Sequence, residues 1–445
     1  MLSSAQRSRS ARAPPSSTNV SDSAPRSTPF DEARFRGLQG AEWRPLSGFV
    51  CPLPPGAAEL LPFELIERGR AIGVQLEEVG SERPGHVKLR FNDLYLYLHS
   101  GSLSVDDTDA SSESQCGPEL AAALSAAQQF VSIEVMYDYP VLRRFHMVLQ
   151  LICHLVPEAL AVHDSARDVW LTRDWIRAAA SRRAFPSPEH LFSIHVLEED
   201  GWVWMHTKGL IRCGALELEV QGAMDRPEAE AMLRLLRTCA VRLTEARDPD
   251  EREPFDLGPS VRVAWVRWDA AYLERPAGSL GTPGHRAGCD GLVASLFRAT
   301  GSGAETALHP ITSLLPVLMD TPRWYATKSE LQRASMIASK HWPRFRDVFK
   351  QKGETPGWHF EVALGYETEE DGDYIEQLWF EVHAIQGARV EATLLHAPVR
   401  LQHLEKGDRR WHAIDQLYQW RVDTAEESFG PEQVEALLAK AARPV

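Results

Sequence analysis

The chain is poor in the signatures that announce chemistry. It has no Gly-x-Ser-x-Gly elbow and no His-Glu-x-x-His helix, so the usual sequence marks of a serine hydrolase or a zinc protease are missing. Its one glycine-rich stretch, Gly278 to Gly284, lacks the Gly-Lys-Ser/Thr ending that sets a lysine on phosphates. Pro283 also removes an N–H that such a cradle needs, so the stretch reads as a loop. Cysteine is scarce: Cys51, Cys116, Cys153, Cys213, Cys239 and Cys289 stand with no two closer than 26 positions. That is neither a disulfide scaffold nor a zinc-ribbon spacing, and it fits reduced thiols. No apolar run reaches the roughly 18 residues of a membrane span. The N-terminus has arginines but no apolar core, which gives a secretory signal no support. A cytoplasmic location is the expectation.

What is present describes a folded, acidic protein. Of 445 residues, 44% are hydrophobic and 25% charged, ordinary for a chain that buries real cores. The length allows about three domains, or two larger ones. Net charge is −14, and residues 1 to 30 hold Arg7, Arg9, Arg12 and Arg26 against Asp22, so the remainder stands near −17. A body that acidic repels phosphate backbones, which argues against nucleic acid and suits a basic protein partner.

Residues 1–30 are a Ser/Arg/Pro/Ala tract with little to bury, and they read as a disordered tail. From 40 to 247 strands and helices mix irregularly, which predicts an α+β domain. Val87–Phe91 and Leu94–Leu98 pair around the turn Asn92-Asp93. Helices are expected over Pro118–Gln129, Val141–Val156, Thr172–Arg183 with Thr172 as cap, and Pro227–Thr244. Strands are expected over Phe130–Tyr137, Leu191–Leu197, Trp202–His206 and Ala215–Gln221. The charged, proline-rich stretch Asp248–Pro259 reads as a linker or long surface loop, a strand is expected over Val261–Val266, and 256–325 is otherwise poorly defined. From 326 to 445 the pattern gives a capped helix from Thr327, a break or second helix at Pro343, then strands that predict a strongly bent antiparallel sheet or barrel-like module. A short helix, Pro431–Ala442, closes the chain.

Two places gather chemistry-bearing residues. In the segment from Trp202 to Val220, His206, Cys213, Glu217 and Glu219, with His195 nearby, are all zinc-ligand types. On a strand Glu217 and Glu219 share one face and Leu216, Leu218 and Val220 the other. The simpler account has the leucines buried, the glutamates in water, His206, Thr207 and Lys208 at a turn with Gly209, and Cys213 as a small buried hydrophobe. In the C-terminal region Leu378, Phe380 and Val382 alternate with Trp379, Glu381 and His383. Trp379, His383, His396, His412 and Trp420 can form an exposed aromatic–histidine surface, or the tryptophans can be core. Gly407-Asp408 marks a tight turn, which glycine supplies cheaply.

The order Leu378–Ile385, Gly387, Val390–Leu395, Pro398, Gly407-Asp408 and Ile414–Trp420 resembles the bacterial YegJ-like domain, over about 328–422. That domain's role is unassigned. This chain departs from its pattern at His396, where asparagine is usual, and at Gln419, where aspartate is usual. The segment His206-Thr207, Gly209-Leu210, Arg212-Cys213-Gly214, Glu217 and Glu219 resembles a second uncharacterised bacterial domain fused ahead of it, over about 120–245. The Gly407-Asp408 turn before Trp420 is also similar to toxin-neutralising immunity proteins. These readings point first to a non-catalytic interaction protein without a cofactor. It binds an unknown protein, basic by charge logic, through His206, Thr207, Lys208, Arg212, Glu217, Glu219, Trp379, His383, Asp408 and Trp420. The alternative is a metal-dependent enzyme centred on His195, His206, Cys213 and Glu217.

Overall fold

The computed structural model describes residues 5–7, 30–39, 45–71, 73–80, 86–103, 116–138, 140–181, 185–245, 249–273, 279–282, 284–286, 291–301, 303–320, 324–367, 375–398, 401 and 403–442. The chain divides into two compact units, Met1–Thr327 and Lys328–Val445. Both mix helices with mainly antiparallel sheets, so the α+β class holds. Of the expected disordered tail, Ala5–Arg7 form a strand and Phe30 begins the next described stretch; the rest lies outside the described residues.

Unit 1 holds two sheets. The first is antiparallel and seven-stranded, in the order Leu76–Gly80, Val87–Phe91, Leu94–Ser102, Gln129–Val135, Ser47–Pro52, Ala161–Asp164, Val169–Thr172. The hairpin at Asn92-Asp93 forms as the sequence implies, with Asn92 at φ 55°, a conformation asparagine tolerates better than most residues. Helix Val141–Leu155 follows, amphipathic enough to bury Phe145, Val148, Leu149 and Ile152. Helix Arg173–Ser181 opens at the expected cap, where Trp175 N–H donates to Thr172 Oγ1 at 3.3 Å.

The second sheet runs Ala5–Arg7, Ser193–Glu199, Trp202–Lys208, Glu217–Ala223, Val293–Thr300, Val261–Arg267, Phe255–Gly258, with Ala307–Pro310 added beside Val293–Thr300. The Glu217–Ala223 and Val293–Thr300 strands pair in parallel. Their long crossover contains helix Arg226–Leu243, which opens with a capping box. There Glu228 N–H donates to Asp225 Oδ1 and Asp225 N–H to Glu228 Oε2, both at 2.9 Å. The strand expected over Val261–Val266 is present as Val261–Arg267, whereas the linker or loop reading and the undefined middle are corrected on either side of it. Phe255–Gly258, Val261–Arg267 and Val293–Thr300 are sheet strands, and Leu257, Val263, Trp265 and Leu296 lie in the same core as Leu218 and Leu236. Local charge and proline around 248–259 hid a strand whose apolar residues are buried by distant partners.

Among its described residues, unit 2 lays a long helix and a short closing one on a single sheet. The strand order is Arg409–Ala413, Arg389–Leu394, Ile375–Gln386, His359–Glu367, Leu417–Asp423, Ser428–Phe429, antiparallel throughout. Among the described residues the path is open, so the barrel-like alternative gives way to a sheet with two edges. Helix Lys328–Lys352 fills the face a barrel would close on itself: Ala338, Trp342, Phe345 and Val348 pack with Phe360, Val362, Phe380 and Trp420. The helix continues through Pro343, where a break was expected. Proline forfeits one backbone hydrogen bond there. Burial of Trp342 and Phe345 on either side of it offsets that loss. The closing helix is Val434–Ala441.

Candidate functional site

Where the ladder between Trp202–Lys208 and Glu217–Ala223 stops, the chain makes a turn that only these residues can make. Gly209 has φ +115°, and a Cβ there would lie 2.8 Å from Leu191 O. A short 3-10 turn, Ile211–Cys213, follows, closed by Gly214 in the left-handed region at φ 86°. Glu217 then replaces the missing strand neighbour. Its Oε1 accepts from Gly209 N–H at 2.7 Å and Ile211 N–H at 3.3 Å, and its Oε2 accepts from Thr207 Oγ1 at 2.7 Å. Thr207 Oγ1 itself accepts from Leu218 N–H at 2.7 Å. Thr207 and Glu217 are therefore a buried stitch across the turn.

Arg212 is 1% exposed and its partner Asp164 0%. The guanidinium grips Asp164 through Nη1 at 2.8 Å and Nη2 at 3.1 Å, and donates twice to Leu191 O, at 3.0 and 2.7 Å. Tyr137 and Phe145 flank it at 5.9 and 5.3 Å. Asp164 sits on the first sheet, so this fork ties the turn of the second sheet to the first. Lys208 pairs with Asp168 at 3.0 Å, and His163 approaches the same carboxylate at 3.3 Å. Together they hold Asp168 well below the usual carboxylate range, with His163 the larger cause.

On one face of the second sheet a polar row crosses four strands, because His195 pairs with His206, His206 with Glu219, and Glu219 with Ser295. The His206 ring stacks on His195 at 5.2 Å and on Trp204 at 4.4 Å. Burial pushes His206 down to about 4, with His195 adding to the fall, so it is neutral near pH 7. Glu219, 0% exposed, accepts from Trp204 Nε1 at 2.9 Å and from Ser295 Oγ, and forms an ion pair with Arg286. Arg286 is itself buried between the Trp204 and Trp268 rings, at 5.3 and 4.6 Å, and donates Nε–H to Gly281 O at 2.9 Å. The expectation of glutamates in water is thus overturned for both Glu217 and Glu219. Of the glycine-rich stretch, Gly278 and Pro283 lie outside the described residues, and in the described part Gly281 O holds the Arg286 that pairs with Glu219.

The four-residue ligand set does not converge. His195 and His206 face each other as stacked rings, Glu217 is occupied by the turn, and Cys213 Sγ lies 4.0 Å from Gly209 O. Among the described residues no group of three or more His, Cys, Asp or Glu is placed to hold a metal ion.

In unit 2 the aromatic–histidine residues separate. Trp420 is core, its Nε1 donating to Ala338 O at 3.2 Å. His412 is buried beside Tyr366, with 2.6 Å between its Nδ1 and the phenol oxygen, and burial pushes it down to about 4. Trp379 lies on the opposite face under the Arg421 guanidinium at 5.0 Å. His383 is exposed, 2.7 Å from Thr393 Oγ1, and sits where the register shifts between Val382 and Ala384. His396 is exposed. Asp408 closes the turn after Gly407, accepting from Glu405 N–H at 3.0 Å and Arg410 Nη2 at 2.5 Å.

Residues 82–186 match the family model described as protein of unknown function (DUF4026) N-terminal, and residues 194–291 the one described as protein of unknown function (DUF4026) C-terminal. Both matched stretches fall in unit 1. The second resemblance drawn from the sequence, over 120–245, straddles the two DUF4026 stretches. The YegJ-like resemblance over 328–422 lies outside both and gains nothing from them. No curated protein and no solved structure matches the chain.

Asp164 falls in the N-terminal DUF4026 stretch and Arg212 in the C-terminal one. Sequence reasoning missed Asp164, Arg286 and Ser295. Nothing local marks them: they stand 48, 67 and 76 positions from the residues they contact.

Proposed function

We propose that this is a non-catalytic interaction protein whose acidic body captures a basic protein partner in the cytoplasm. One observation carries the reading. The side chains of the 193–219 segment with the most chemical potential, Thr207, Arg212, Glu217 and Glu219, are buried and occupied by backbone groups and one another. Such a network specifies a shape and has no free group to act on a substrate. The net charge of −14 supplies long-range attraction for a cationic surface. Unit 2, as a YegJ-like and immunity-like module, would present the Trp379 and His383 face; the sequence pattern around Gly387, Gly407-Asp408 and Trp420 supports that assignment.

Affinity capture with the purified full chain, at low and at high salt, followed by reconstitution from pure components, tests the reading. A basic protein bound in fixed stoichiometry and released by salt is the expected result. Turnover of a small molecule that is lost in His206→Gln with the fold intact, or about one zinc per chain after purification without chelators, would replace it with the metal-enzyme alternative.

A further inference from the structure

Arg286 is built into unit 1 the way a bound ligand is. It is 3% exposed, yet Gly284 and His285 just before it are exposed, so the arginine dips from the surface into the interior. Inside, its guanidinium meets the rings of Trp204 at 5.3 Å and Trp268 at 4.6 Å, and it pairs with the Glu219 carboxylate. Its Nε–H goes to Gly281 O at 2.9 Å. The fold holds the surrounding groups in place. Trp204 and Glu219 sit on paired strands, Trp204 Nε1 and Ser295 Oγ both donate to Glu219, and the helix Trp268–Leu273 carries the second ring. Two indoles and a buried acid are the recognition set for a flat cation. Stability alone does not call for such a set, because apolar side chains of equal size fill a buried space as well as an ion pair does, or better.

We propose that this cage is a binding site for an arginine side chain of a protein partner, and that Arg286 is a built-in stand-in displaced when the ligand enters. The inference rests on the reading of a basic partner and names the side chain that partner inserts. The incoming guanidinium takes the place of the Arg286 head group against Trp204 and Trp268, with Glu219 as its counter-ion. A lysine ammonium has no flat face to lie on the indoles. An anion would meet the Glu219 charge where burial leaves the repulsion poorly screened. Because Arg286 holds the cage, the ligand binds only those molecules in which it has left, so shortening Arg286 raises the affinity.

Calorimetric titration of the full chain with N-acetylarginine methylamide, and with its lysine and citrulline counterparts, tests the proposal. Arg286→Ala should bind the arginine ligand at least about tenfold more tightly than the unsubstituted chain, and the ligand should raise its melting temperature. Citrulline has the same shape without the charge, and it and lysine should each bind about tenfold more weakly. Arg286→Lys keeps a charge beside Glu219 and serves if the alanine variant does not fold; it too should bind arginine more tightly than the unsubstituted chain. Arg286→Ala combined with Glu219→Gln leaves no lone buried ion, so it should fold, and it should lose about tenfold or more of the arginine affinity. Three results would each overturn the proposal: arginine affinity no higher in the Arg286 variant that folds, citrulline bound as well as arginine, or affinity kept in the double variant. So would a basic partner captured equally well by that double variant, a result that leaves the partner reading standing.

Discussion

Two strands of this protein carry nearly the same kinds of residue and reach opposite ends. In unit 1 the strand Trp202–Lys208 sets Trp204 and His206 on one face; in unit 2 the strand Ile375–Gln386 sets Trp379, Glu381 and His383 on one face. The opposite face is core in both, through Val203 and Met205 in one and Leu378, Phe380 and Val382 in the other. The Trp204 face is covered by Arg286 and by Trp268, and its polar groups become a buried network. The Trp379 face carries an arginine and a mesh of exposed ion pairs, including Arg409 with Glu391 at 3.2 Å. Alternation along a strand therefore decides which residues share a side. Segments tens of residues away decide whether that side is wet.

The contrast can be broken most forcefully at the buried ion pair. Arg212→Ala strands Asp164 in the interior and should cost about 3–5 kcal/mol in urea unfolding of unit 1. Arg212→Met combined with Asp164→Leu should recover most of that loss. If the single change costs less than about 1 kcal/mol, the pair is not the tie described. In unit 2 the two tryptophans should differ in the same sense. Trp420→Ala removes a core ring and should cost about 3–5 kcal/mol. Trp379→Ala and His383→Ala lie on the outer face and should stay within about 1 kcal/mol, the first losing only a cation–π contact.

Acid sharpens the comparison by acting on both units. His206 and His412 are each pushed by burial from an ordinary value of 6.5 down to about 4. Between those values the unfolded chain takes up the proton and the folded chain does not, so stability falls as pH drops from about 6.5 to about 4. The loss is up to roughly 3 kcal/mol for each histidine, and nothing is lost above pH 6.5. Unfolding free energies at pH 7 and 4.5 should show the fall, and His206→Gln should flatten the profile of unit 1 only. A flat profile in the unsubstituted protein contradicts the burial of both rings.

The sequence already shows the elements whose causes are local. Asn92-Asp93 sets its hairpin, Thr172 opens its helix, and the 3.6-residue rhythm of Leu235, Leu236 and Cys239 marks the Arg226–Leu243 helix. Causes that act across the chain are invisible there. Glu217 and Glu219 look like a wet face until Ile211, Ser295 and Arg286 are placed against them. Pro343 looks like a break until the Phe345 and Trp420 rings meet at 5.2 Å beside it. Of the candidate site, the residue types were legible and their occupation by the scaffold was not.

The Arg212–Asp164 fork also bears on how the two matched stretches can be separated. Its two members are supplied by different stretches, so a cut near residue 190 would give each fragment a lone ion where the intact protein has a neutral couple. The two stretches are covalently consecutive, but electrostatically each is incomplete until the other has folded against it.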